Sequence, residues 1–174
     1  MEPINILTKP NSPQLLITMC NGILKYLPYK SSFLFVDNIT ALDEHGVIGN
    51  YTLKPDSFFY EDHFPGNPVT PGVIITEIMA QTGLVVLGIY LMIQGDDNFE
   101  MSESSFPLLT STNVDFFKMV LPGEKVMVTS KKQYFRFGKL KCAVEMHNAM
   151  NELVARGTFS GVIQNAVMRK AKDE

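Results

Sequence analysis

Two side chains in this sequence are suited to moving protons: a histidine at position 63 and a glutamate at position 77, fourteen residues apart. His63 lies in DHFPGNPVTPG, where Pro65, Pro68 and Pro71, with Gly66 between them, exclude regular helix and specify a rigid, shaped loop. Glu77 stands inside GVIITEIMAQTGLVVLGIYLMI, a run made almost entirely of apolar and small residues. Burying an unpaired carboxylate costs roughly several kcal/mol, so a carboxyl group in such a run is favoured in its neutral, proton-donating form. Imidazole is the complementary base, because its ordinary pKa lies near neutral pH. Each residue also has a plainer reading. A loop histidine is more often structural or solvated than catalytic, and Gln81, four residues on and on the same helix face, could satisfy Glu77 by a hydrogen bond.

The elements that must hold these groups follow from pattern and turn chemistry. Thr70 is suited to N-cap a helix with Pro71 at its first position, and the apolar run then carries the helix to about Gly95, ~24 residues and ~36 Å long. Val73 to Ile93 has the length of a membrane span, but it carries Glu77, Gln81, Thr76, Thr82 and two glycines and lacks Lys/Arg-rich flanks. The reading is a helix buried in a protein core, with no membrane span. Pro13–Leu27 has the spacing of a short amphipathic helix stopped by Pro28. Strand-like runs occur at Ser32–Asp37 and Val47–Leu53, with DEHG between them, and at Leu108–Phe117, Lys125–Phe135, Leu140–Asn148 and Leu153–Gln164. Short turns (PGE, RFGK, NAMNE) join the later runs without intervening helices. That predicts an antiparallel sheet wrapped on one long apolar helix, an α+β fold. Residues 1–12 read as an N-terminal arm, 13–165 as a single domain, 94–105 as an acidic, serine-rich connection and 166–174 as a charged C-terminal tail.

Composition narrows the function classes. The 174 residues, 45% of them apolar, suffice for one compact core, and a net charge of -3 gives no basic surface for nucleic acid. Cys20 and Cys142 have no metal-ligand spacing and read as buried thiols, which with the absence of a secretory pattern near the N-terminus predicts a cytoplasmic protein. No metal or cofactor motif is found, and His45 and His147 lack a companion carboxylate motif and receive no role.

The segment HFPGNPVTPGVIITEIMAQ resembles the signature of the 3-hydroxyacyl-acyl-carrier-protein dehydratases of bacterial fatty acid synthesis. The spacing of fourteen residues is that family's, and a glutamate at the acid position resembles its dehydratase-only branch. Upstream, LPYKSSFLFVD is similar to the family's LPHRYPFLLVD, with Tyr29, Ser31 and Ser32 where His, Tyr and Pro are usual. Downstream, NVDFFKMVLPGE is similar to NVRFKRPVVPGD, with Asp115, Phe117 and Met119 as departures and Lys118 retaining one positive charge. The resemblance runs from about Leu27 to Gly123 and more loosely to Gln164.

What it implies is a hot-dog fold and dehydration of a 3-hydroxyacyl thioester to the trans-2-enoyl thioester, in fatty acid synthesis or a specialised polyene or polyketide pathway. His63 would take the proton next to the thioester carbonyl and Glu77 would protonate the departing hydroxyl. The Gly72 N–H would stabilise the enolate oxygen, the Val69 carbonyl would orient His63, and Gln81 would support Glu77. The substrate would ride on acyl-carrier protein or coenzyme A. The family's active sites are shared across a homodimer, with a trimer of dimers as a further assembly. An acyl chain also needs an apolar tunnel, for which Phe58, Phe59, Phe64, Ile78 and Val85 are candidates. From Lys118 to Lys141 there are seven Lys/Arg against one acidic residue, and Lys118 is the candidate for docking an acidic carrier. Two other readings remain: a hot-dog thioesterase, which needs a carboxylate but not the loop histidine, and a non-catalytic acyl-binding subunit.

Overall fold

The computed structural model describes residues 18, 20–95 and 105–165. The expected arm, the start of the first helix, most of the acidic connection and the C-terminal tail lie outside the described residues. Six strands form one antiparallel sheet: β1 (Asn38–Leu42), β2 (Gly46–Thr52), β3 (Ser105–Phe116), β4 (Lys125–Arg136), β5 (Lys139–Asn148) and β6 (Leu153–Asn165). Their order is β1-β2-β4-β5-β6-β3, which leaves β3 as one edge. A single helix of 24 residues, α1 (Gly72–Gly95), lies in the curve of this sheet. The architecture is the hot-dog α+β arrangement expected from the sequence.

Period-two alternation selects which face of each strand meets the helix. Leu140, Cys142, Val144 and Met146 on β5, and Val126, Val128 and Ser130 on β4, point inward and are buried. From α1 the core receives Ile74, Ile75, Ile78, Met79, Leu84, Val86, Leu87 and Ile89. Each such side chain contributes about 1.5–3 kcal/mol when fully buried. Contact with the sheet is close at Gly83, where a Cβ would stand 2.8 Å from Val144 Cγ1, so a side chain there would push the helix off β5. The apolar stretch of membrane length is therefore a core helix, with 78% of its most hydropathic window buried.

Three local expectations are corrected. Ser32–Asp37 is not a strand: Ser31–Phe33 is a 3-10 turn, and β1 begins at Asn38. The segment's backbone bonds instead to a side chain of the helix, the Phe35 N–H donating to Gln81 Oε1 at 2.8 Å. Thr70 does not cap α1. Its hydroxyl shares a 2.6 Å hydrogen bond with Tyr60, its N–H donates to the Val120 carbonyl, and Pro71 occupies the cap position without a side-chain bond. Finally, α1 is not uniformly α-helical. Residues Gln81–Val86 form a π-helical turn, and the Gly83 carbonyl accepts a hydrogen bond from Ser130 Oγ at 2.7 Å.

Both cysteines are free and buried, as expected of thiols that act as apolar core residues. Burial pushes the Cys142 thiol up to about 11, only partly offset by its Ser130 contact. Native protein at neutral pH is expected to leave Cys20 and Cys142 unmodified by a thiol reagent, both reacting once denaturant is added; rapid labelling of native protein would contradict this packing.

Candidate active site

The loop carrying His63 is built from turns rather than helix, as its prolines demand. It is cross-braced at both ends of the segment His63–Val69. The Val69 N–H donates to the His63 carbonyl at 3.1 Å, and the Val69 carbonyl lies 2.9 Å from His63 Nδ1. A carbonyl only accepts, so Nδ1 must carry the hydrogen, which leaves the Nε2 lone pair of the neutral ring free. The ring stacks on Phe64 at 4.2 Å, across a cis His63–Phe64 peptide.

Gly72 opens α1, so its N–H has no partner within the helix and points out at the positive end of the helix dipole. It borders a surface groove of about 320 Å³ floored by Val69, Thr70, Ile75 and the segment Phe116–Met119. Lys118 lines the same groove, but its charge is engaged: Nζ donates to Glu152 Oε1 at 2.9 Å. That bond, with a second from Asn148, holds the Glu152 carboxyl below the usual carboxylate range.

Glu77 faces elsewhere. It is half-buried rather than buried in the single chain, and its Oε1 accepts a 2.9 Å hydrogen bond from Gln81 Nε2. The Gln81 amide is itself fixed, accepting from the Phe35 N–H and donating to the Phe33 carbonyl at 2.8 Å. A fully buried glutamine thus ties the helix to the upstream segment and aims one N–H at Glu77. Glu77 lies on the wall of a pocket of about 210 Å³ that runs between α1 and strands β3, β5 and β6. His63 does not line this pocket.

Of the five tunnel candidates, Val85 alone lines it. Ile78 and Phe59 are packed into the core, whereas Phe58 and Phe64 are 64% and 57% exposed on the loop. Most of the lining comes instead from Ala80, Leu84, Leu108, Leu109, Leu140 and Ile163. These residues come from four elements, α1, β3, β5 and β6, that are distant in sequence and share no contiguous motif. Tyr29, noted in the sequence only as a departure from a family pattern, lines the pocket beside Glu77. Burial first, and the Glu77 charge second, push its phenol above the ordinary value.

A sheet curved round one apolar helix, with a braced histidine loop at the helix start and a carboxylate one turn further in, is the hot-dog arrangement with the pair of groups a dehydratase needs. More particularly, the chain belongs to the FabA-like domain family, whose model matches residues 27–152. It is 32% identical over 147 residues to a 3-hydroxyacyl-[acyl-carrier-protein] dehydratase FabZ of Polynucleobacter necessarius, covering 83% of this chain and 91% of that one. A FabZ of Geotalea uraniireducens is 34% identical over 119 residues, 68% of this chain and 78% of the relative. Among solved structures, the dehydratase heterocomplex ApeI:P from Xenorhabdus doucetiae superposes with a TM-score of 0.68 at 14% identity, over 82% of this chain and 91% of that one.

Proposed function

We propose that this protein dehydrates 3-hydroxyacyl thioesters carried on acyl-carrier protein, in fatty acid synthesis or a related polyketide-type pathway, with His63 and Glu77 as base and acid. The observation that carries this reading is the Val69–His63 bond, which leaves Nε2 free to accept a proton, in a chain whose FabZ relatives are dehydratases. His63 Nε2 removes a proton from the carbon next to the thioester carbonyl. The electron pair moves into that carbonyl, and the Gly72 N–H stabilises the oxygen as charge develops. The pair then returns to form the carbon–carbon double bond as the C3–O bond breaks. Glu77 gives its proton to the departing hydroxyl, which leaves as water. Proton exchange with solvent resets both groups. The reaction needs no redox step.

Gly72 borders one groove of the chain, Glu77 lines another pocket and His63 lines neither, so a shared site would take the histidine loop of one copy and the glutamate of a second. The edge strand β3 supports such a homodimer. It is twelve residues long, and Phe106, Leu108, Leu109 and Phe116 along it are exposed, as are Phe117 and Met119 just beyond. An unprotected apolar edge of that length is a template for pairing with another strand. Assembly of such dimers in threes would leave the shared sites unchanged. The buried, unpaired thiols fit a cytoplasmic setting.

Purified protein incubated with 3-hydroxyacyl and 2-enoyl thioesters should interconvert them, followed by enoyl absorbance, without releasing free thiol. Thiol release in place of interconversion would overturn the assignment in favour of a thioesterase. The carrier is tested at Lys118, which stands in the groove beside Gly72 with Arg156 stacked over Phe117 nearby. Lys118→Glu should raise KM for substrates on acyl-carrier protein several-fold and leave KM for coenzyme A thioesters little changed, since rim charges act mainly on encounter. Equal change for both carriers would remove Lys118 from docking.

A further inference from the structure

Glu77 and Tyr29 supply the polar side chains of the pocket; its other side chains are apolar. Along α1 it is walled by Ala80, Leu84, Val85 and Gly88, and Leu140 and Ile163 line it from β5 and β6. Gly88 stands in the interior of α1, at the second residue of the α-helical segment Leu87–Gly95 that follows the π turn, where glycine weakens a helix relative to alanine. At Gly83 and Gly161, packing explains the missing side chain. A Cβ at Gly83 would stand 2.8 Å from Val144, and one at Gly161 2.7 Å from Leu84. At Gly88 the nearest atoms would be Leu140 Cδ2 at 3.6 Å and Ile163 Cδ1 at 3.9 Å, ordinary contact distances. Neither helix formation nor packing requires glycine there. What a side chain would remove is pocket space.

We propose that Gly88 sets the depth of the acyl pocket and selects substrates with medium to long hydrocarbon chains over four-carbon ones. The inference rests on the dehydratase reading above. Gly88 lies eleven residues beyond Glu77, roughly 16 Å along the helix axis, so a chain must extend well past the reacting carbons before it meets this position. The walls there are hydrocarbon, which fits an unsubstituted distal chain.

The test compares kcat/KM for 3-hydroxydodecanoyl and 3-hydroxybutyryl thioesters on one bacterial acyl-carrier protein, for wild type, Gly88→Ala, Gly88→Leu and Ile163→Ala. Wild type should favour the longer chain. Gly88→Leu should lower the long-to-short ratio about tenfold or more, the scale on which a filled hydrophobic pocket discriminates. Gly88→Ala should lower it less and melt no lower than wild type, and Ile163→Ala, which enlarges the pocket, should not lower it. A ratio unmoved in Gly88→Leu, or in Gly88→Ala should the leucine variant not fold, would overturn the inference; so would a Gly88→Ala protein that melts lower. Wild type inert toward both thioesters would overturn the dehydratase reading itself, whereas an active enzyme with an unmoved ratio overturns only the role of Gly88.

Discussion

Replacing His63 with alanine is expected to lower dehydration about 10²–10⁴-fold, and Glu77→Gln to do the same, which is the usual cost of deleting a general base or acid. Neither change should unfold the protein. His63 is half-buried on a loop, and a glutamine at 77 can still accept from Gln81 through its amide oxygen. Circular dichroism and the melting temperature should therefore match wild type while the rate of enoyl formation collapses. The two variants also allow a sharper measurement. If each site draws its histidine from one chain and its glutamate from the partner, a mixed dimer of His63→Ala and Glu77→Gln contains one site with both groups intact. Random co-assembly should then restore roughly a quarter of wild-type activity from two inactive parents, because half the dimers are mixed and each has one working site. No recovery from properly mixed dimers would mean that both groups act from the same chain.

The second large effect is expected at Gln81. Gln81→Met keeps most of the side-chain volume and removes every hydrogen bond the amide makes. The Phe35 N–H and the Phe33 carbonyl would each lose the partner they have in the helix. The buried Phe35 N–H left unsatisfied costs about 1–3 kcal/mol and the part-buried Phe33 carbonyl less, so the variant should lose roughly 2–4 kcal/mol of stability by urea unfolding. Its activity should fall as well, since Glu77 loses the N–H that holds its Oε1. Stability equal to wild type would mean that the segment from Phe33 to Phe35 is held by its aromatic contacts alone, of which Phe35 has three, with Phe33, Tyr51 and Phe59.

Gln81 also marks where local reading stopped. Its spacing from Glu77 gives their contact directly, because positions i and i+4 meet on any helix. Its bonds to Phe33 and Phe35 span 48 and 46 residues, and no local pattern signals them. The aromatic, β-branched composition of Ser32–Asp37 therefore suggests a strand, whereas in the fold a helix side chain takes over its backbone bonding. Thr70 misleads in a similar way. A threonine before a proline and an apolar run has the chemistry of a cap, yet Tyr60, ten residues upstream, takes its hydroxyl.

The pocket beside Glu77 carries less local signal still. Phe58 and Phe64 are large, apolar and next to the motif, and the fold leaves them at the surface. Apart from the helix stripe of Ala80, Leu84 and Gly88, the lining residues share no spacing, because the cavity is what remains between a helix and three strands. Its shape depends on the π-turn, the close approach at Gly83 and the open space at Gly88.

By itself the sequence determined the strands β2 to β6, the helix that fills their curve, the rigid loop before it, and His63 and Glu77 as the candidate acid–base pair. All of these are written in short-range periodicity, in proline and glycine chemistry, or in a motif contiguous along the chain. The family resemblance implied the Val69 brace on His63, present as a 2.9 Å contact, but only the tertiary structure decided that Glu77 opens onto a pocket beside Tyr29 and that Gly72 borders a separate groove of the same chain. Those facts depend on side chains brought together from distant elements, and such contacts are set by how the whole core packs rather than by any stretch within it.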